Sequence, residues 1–159
     1  MTTTTEHSPA TRVTLSEEVP DIYKAMLRLD SAVAGTPLER PLKELVRIRA
    51  SQINGCAYCI DMHTLDARSI GESEQRIYAL SAWREAPFFT ARERAALALT
   101  EAVTLVHDGH VSDAVYAQAA AEFDAAEMSQ LAWLIIVINA WNRMGITGRL
   151  AAGEYDPSA

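Results

Sequence analysis

The sequence predicts an all-α bundle of about six or seven helices. Three features carry that prediction. Apolar residues recur at helical spacing along most of the chain, no stretch alternates apolar and polar residues as a half-buried strand does, and helix-capping signals punctuate the periodic runs. With 159 residues, 49% of them hydrophobic and only 22% charged, the chain suits one domain with room for a substantial core. No internal repeat or linker divides it.

The elements follow in order. The Thr-rich start has neither the basic opening nor the apolar run of a signal peptide, so a disordered tail is expected over residues 1–16. The domain then spans residues 17–150, and residues 151–159 form a C-terminal tail. Val19, Ile22, Tyr23, Met26 and Leu29 give residues 17–29 the spacing of a first helix. Gly35 and Pro37 break it, and Pro41, tolerated in a first turn, opens a second helix reaching about Ile53. Asn54 and Gly55 both tolerate left-handed backbone and interrupt that helix. A third begins near Cys56 and closes at Gly71. Ser73 caps a shorter helix to Trp83, and Pro87 marks a loop over residues 84–89. Thr90 and Glu93 have capping-box spacing and open a helix predicted to end at Gly109. Residues 112–123 form another, and Asp124 with Glu127 boxes a last helix running to about Arg149. Within it, residues 131–138 carry no charged or amide side chain, so this stretch must be buried nearly all round or shared with a partner subunit. It is too short for a bilayer, which needs about 20 apolar residues.

Charge narrows the function classes. A net charge of −7 with 14 scattered Lys and Arg argues against a nucleic-acid surface. The chain is expected in a reducing cytoplasm, where a lone CxxC is catalytic, redox-sensing or metal-binding more often than structural. Structural zinc takes four Cys or His ligands, and a second CxxC or an HxxxH is absent, so a redox dithiol is favoured. No flavin, haem or nucleotide motif occurs, and no cofactor is expected.

The chemistry concentrates in Cys56-Ala57-Tyr58-Cys59, which holds the only two cysteines of the chain. At about 100° per residue, Cys56, Cys59 and His63 share one helical face. A straight helix would hold Glu44 about 18 Å from Cys56. A hairpin folded at Asn54-Gly55 instead sets Glu44 beside residues 63–65, where it can orient the imidazole. The helix N-terminus favours a thiolate at Cys56, and His63 serves Cys59. Glu44 would hold His63 in the tautomer that accepts a thiol proton and then stabilise the imidazolium. Tyr58 stands as a candidate proton donor and equally as a packed aromatic.

Glu44, the run Leu45-Val46-Arg47-Ile48-Arg49, Asn54-Gly55-Cys56-Ala57-Tyr58-Cys59 and His63 closely resemble the core of the alkylhydroperoxidase D-like branch of the carboxymuconolactone decarboxylase family. Trp83 to Phe89, Glu93-Arg94 and Asn139-Ala140-Trp141-Asn142-Arg143 extend the resemblance over roughly residues 17–150. It implies an all-α fold, homo-oligomers that are commonly trimers or hexamers, and thiol-dependent reduction of peroxides. It also implies that Cys59 attacks peroxide and Cys56 resolves, against the helix-end advantage of Cys56. We follow the resemblance, because His63 serves Cys59 directly. The chain departs from the characterised peroxidase of the family in carrying Tyr58 where that protein has a histidine. The function expected is a thiol peroxidase drawing on an external dithiol or disulfide reductant. The alternatives are a redox-sensing or partner-binding helical oligomer, or a disulfide reductase with little peroxidase activity.

Overall fold

Pro20 divides what apolar spacing predicts as a single first helix. In the computed structural model, which describes residues 12–158, a one-turn helix α1 (Leu15–Glu18) stops at Val19. The next, α2 (Pro20–Ala34), starts on the proline, whose missing N–H is harmless in a first turn. Residues 1–11 of the expected tail lie outside the described residues. The rest of it is structured: the Arg12 N–H donates to the Gly148 carbonyl at 3.3 Å, and Leu15 and Ser16 belong to α1.

Helix α3 (Arg40–Asn54) has Pro41 in its first turn and ends on Gly55, whose φ of 70° is the left-handed geometry that a side chain would strain. Helix α4 (Ala57–Ser69) starts directly on Cys56. The Ser73 hydroxyl accepts the Arg76 N–H to open α5 (Glu74–Ala79), which runs into a 3-10 turn at Leu80–Ala82. Both predicted capping boxes are present. Thr90 and Glu93 open α6 (Ala91–Thr104), Ser112 opens α7 (Asp113–Ala120), and Asp124 and Glu127 open α8 (Ala125–Gly148). Among the described residues this makes eight α-helices and no strand, the split at Pro20 supplying the one beyond the expected seven.

Helix α6 stops five residues short of the predicted Gly109. Val103, Thr104 and Val106 are β-branched and weak helix formers, and the Thr104 hydroxyl accepts a bond from Asn139 at 3.0 Å that holds the chain as it leaves the helix. Gly109 and His110 then turn with φ of 82° and 58°.

Helix α3 is the spine, packed on α4, α6 and α8. One apolar cluster sets its Leu42 and Val46 against Leu99 of α6 and Leu131 and Ile135 of α8. A second sets Leu45 and Ile48 against Ala67, Leu80, Trp83 and Leu97. Each fully buried leucine or isoleucine contributes about 1.5–3 kcal/mol relative to exposure. The run over residues 131–138 is not buried all round by its own chain, because Trp133 and Ile136 on the outer face remain 49% and 47% exposed. No helix among the described residues is long and apolar enough to cross a membrane.

A buried polar ladder joins α3 to α8. The Asn54 amide donates to the side-chain oxygens of Asn139 and Asn142, each at 2.9 Å, while the Asn142 amide donates to Ser51 Oγ at 2.9 Å. Asn142 is completely buried, so each of these bonds replaces water that cannot reach it. Asn142→Ala leaves Asn54 with Asn139 as its one acceptor and Ser51 with only its own bond to the Arg47 carbonyl, and should cost about 1–3 kcal/mol in urea unfolding at an unchanged m-value. A midpoint that does not move would show that water satisfies these groups.

Candidate functional site

Helix α4 begins in a way that defines the site. Cys56 is its N-cap, with extended backbone and a sulfur that accepts the Cys59 N–H at 3.3 Å. Its side chain thus occupies the place usually taken by a serine or aspartate oxygen. Cys56 and Cys59 form a disulfide with Cα atoms 5.4 Å apart. His63 follows one turn later, also buried. All five residues singled out from the sequence, Glu44, Cys56, Tyr58, Cys59 and His63, lie on the two helices that meet at the Gly55 turn.

The turn folds α3 back so that Glu44 Oε2 lies 2.9 Å from His63 Nδ1. Glu44 is only 3% exposed, so its ionisation decides what this contact is. Burial alone pushes its carboxyl up; the bond and charge of His63 and those of Arg47 together outweigh burial and hold it below 4.5. An ionised carboxylate only accepts, so Nδ1 carries the proton and Nε2 is left as the basic nitrogen. The other carboxylate oxygen accepts from Arg47 at 2.8 Å, and that guanidinium also lies 3.9 Å from Asp30. Arg47 is therefore shared between two carboxylates.

A cavity of about 220 Å³ opens in front of Cys59, His63 and Tyr58. Its walls are Tyr23 and Leu27 from α2, Met62 from α4, Ile138, Trp141 and Met144 from α8, and Leu150; Arg47 and Asp30 supply its charged edge. Cys56 does not line it. Its sulfur faces Gly145 instead, where a Cβ would come within 3.2 Å. Trp83 and Phe89 belong to the second apolar cluster, with Phe88 packed against it, and none of the three lines the cavity.

Several neighbours of the site were not singled out from the sequence. Tyr23 with Leu27, and Trp141 with Met144, are one turn apart and read as ordinary core stripes; only the meeting of α2 and α8 over α4 makes them a wall. Gly145 gives no local signal, since its small size matters only for a sulfur distant in sequence. Asp66 Oδ2 lies 3.9 Å from His63 Nδ1, and Asp66 accepts a bond from Tyr155. Glu44, His63 and Asp66 bring possible metal-ligand atoms within 4.8 Å of one another. They offer one imidazole and two carboxylates, with the imidazole nitrogen already bonded to Glu44 and a guanidinium on that carboxylate. That arrangement suits a proton relay better than a cation.

The depressed Glu44 pKa sets a direction for stability against pH. Its contribution is fully present above the ordinary value of 4.5 and is lost as pH falls from there through the folded value. Glu44→Gln should lose about 1.5–3 kcal/mol at pH 7, and its deficit should shrink as both proteins are taken below that value. Urea unfolding across pH reads the gap; a deficit constant down to acid pH would mean that the carboxylate charge is not what His63 and Arg47 stabilise.

The sequence model of the carboxymuconolactone decarboxylase family matches residues 20–102. The uncharacterised protein YdfG of Bacillus subtilis is 42% identical over 144 residues, which cover 90% of this chain and 98% of that one. The crystal structure of an Agrobacterium tumefaciens protein of unknown function, provisionally named an antioxidant-defence AhpD, superposes with a TM-score of 0.89 at 36% identity, covering 92% of this chain and all of that one. A peroxidase-related AhpD core from Ralstonia eutropha has a TM-score of 0.75 at 19% identity over 85% of this chain and 72% of that one, a likeness of fold alone. On this match of sequence and fold, the chain belongs to the carboxymuconolactone decarboxylase family and has an AhpD-like fold.

Proposed function

We propose that the protein is a thiol-dependent peroxidase that cycles Cys56 and Cys59 between dithiol and disulfide, with Glu44 and His63 as its proton relay. The observation that carries this reading is the asymmetry of the pair: Cys59 lines the cavity and Cys56 is packed behind it. In the reduced protein His63 Nε2 takes the Cys59 proton, and Glu44 stabilises the resulting imidazolium. The thiolate attacks one peroxide oxygen, the O–O bond breaks, and the departing alkoxide takes a proton and leaves as an alcohol. Tyr58, on the cavity wall, is placed to supply that proton. Cys59 is left as a sulfenic acid. The Cys56 thiolate attacks its sulfur, water leaves, and the disulfide forms. An external dithiol then returns two electrons and two protons, which suits a reducing cytoplasm. The largely apolar walls favour an organic peroxide over a highly charged one.

Cys59→Ser should abolish peroxide consumption in the presence of excess dithiol, whereas Cys56→Ser should accumulate a sulfenic acid on Cys59, detected by dimedone and mass spectrometry. A sulfenic acid trapped on Cys56 in the Cys59→Ser protein would reverse the two roles. Disulfide formation without turnover under excess dithiol would assign the pair to redox sensing.

We also propose a homo-oligomer, a trimer or hexamer, formed through the outer face of α8 where Trp133 and Ile136 are exposed. Light scattering at micromolar concentration should return a multiple of 17.4 kDa, and the mass of one chain would rule the assembly out.

A further inference from the structure

The segment after α8 does not leave the domain. Arg149, in left-handed geometry with φ of 54°, turns the chain at the end of the helix, and the Leu150 N–H returns to the Gly145 carbonyl at 3.0 Å. Gly153 then donates its N–H to Asp61 Oδ2 at 2.8 Å, and the Tyr155 hydroxyl donates to Asp66 Oδ1 at 2.7 Å. Both carboxylates belong to α4, the helix that carries Cys59 and His63. The segment is a strap across the site's own helix.

Asp66 is bound on one oxygen by this strap and turns the other toward the relay. Its Oδ2 lies 3.9 Å from His63 Nδ1, the nitrogen that also bonds Glu44 Oε2 at 2.9 Å. The imidazole thus faces two carboxylates through one nitrogen.

We propose that Tyr155 and Asp66 are positioning residues of the redox site: the phenol holds Asp66 so that its free oxygen stays beside the imidazole that serves Cys59. The proposal rests on the reading of His63 as the acceptor of the Cys59 proton. Without the phenol, the Asp66 side chain, on the half-buried flank of α4, is free to swing toward water and withdraw its charge from the ring. Burial and the bond to Asp66, with the charges of Asp66 and Glu44, push the Tyr155 hydroxyl up to about 12, so it remains a donor wherever the thiol titrates. The other charged or titratable groups around the imidazole are Tyr58 and Cys59 on α4, Arg47 on α3 and Tyr23 on α2, with Asp30 of α2 against Arg47.

The test is the pH profile of Cys59 alkylation by iodoacetamide in the reduced full chain carrying Cys56→Ser, so that a single thiol titrates. Adding Tyr155→Phe or Asp66→Asn should each raise the apparent thiol pKa by about half to one unit, slowing alkylation at pH 7 about three- to tenfold. The two together should shift it no further than Asp66→Asn alone, because Tyr155 acts only through Asp66. His63→Gln in the same background separates the two readings. If His63→Gln raises the pKa but Tyr155→Phe leaves it unmoved or lowers it, the positioning role is overturned and the relay stands. If His63→Gln has no effect, the relay fails and the positioning role fails with it. Loss of packing alone would lower the urea midpoint of Tyr155→Phe without moving the profile, which also overturns the proposal.

Discussion

The left-handed turn at Gly55 is the constraint from which the site follows. A helix continued through residue 55 would carry the two cysteines away from Glu44 at about 1.5 Å per residue. Breaking it there starts a second helix on Cys56 and folds its first two turns against the middle of α3. A left-handed glycine by itself permits many directions of departure. The direction taken is the one that packs α4 along α3, and the Asn54 side chain beside the turn is anchored on Asn139 and Asn142 of α8 by two bonds of 2.9 Å. The end of α3 is thus tied to α8, while α4 folds back along α3, where Glu44 and His63 meet at 2.9 Å. The same anchoring brings α8 close enough that a Cβ on Gly145 would lie 3.2 Å from the Cys56 sulfur and 3.8 Å from that of Cys59.

What the sequence made legible was local, and what it hid was assembled from distant parts. The two capping boxes, the Gly55 break and the Cys56 helix start are written within four residues each, and all are present. The pairing of Glu44 with residues 63–65 was also accessible, because a hairpin of two helices has only one register once its turn is located. Boundaries went astray where a neighbour overrode periodicity. Pro20 continues the apolar spacing of its surroundings while its ring forces a new start, and α6 ends early where β-branched residues meet a bond from Asn139. The cavity was the least legible feature. Tyr23, Trp141 and Met144 fit a helical core stripe, and nothing local distinguishes a side chain that fills a core from one that faces an empty space beside a sulfur. Tyr155 was hidden for a related reason: the residues around it have no period, so the segment reads as a tail, and only its two contacts with α4 make it part of the domain.

Burial of Glu44 would be costly if it were alone. Removing a carboxylate from water disfavours its charged form, and a neutral acid would be free to donate and would no longer dictate the tautomer of His63. His63 and Arg47 together prevent this, Arg47 bonding the carboxylate oxygen that His63 does not use. Arg47 is in turn divided between Glu44 and Asp30, so it does not present a free positive charge to the cavity. The result is an ionised acid held in a mostly apolar setting, where its effect on the imidazole is stronger than it would be in water. The cavity thus keeps its apolar walls next to a polarised base.

The two cysteines are equally hidden, at 1% and 2% exposed, yet their surroundings differ in kind. Cys56 sits at the helix start, where the unpaired N–H groups favour a thiolate, and its sulfur is enclosed by Gly145. Cys59 sits one turn in, with His63 on its own helical face and open space in front. The helix-end position and access to the cavity are therefore divided between them. For a resolving cysteine that division is useful, because attack on a sulfenic acid one helical turn away needs a ready thiolate and no access to bulk. For the attacking cysteine the order of importance is reversed: a peroxide must reach the sulfur, and a neighbouring histidine can supply on demand what the helix end supplies permanently to its partner. On the proposed peroxidase reading, the helix-end argument and the family assignment would therefore describe different sulfurs in different steps, with Cys59 the one that lines the cavity.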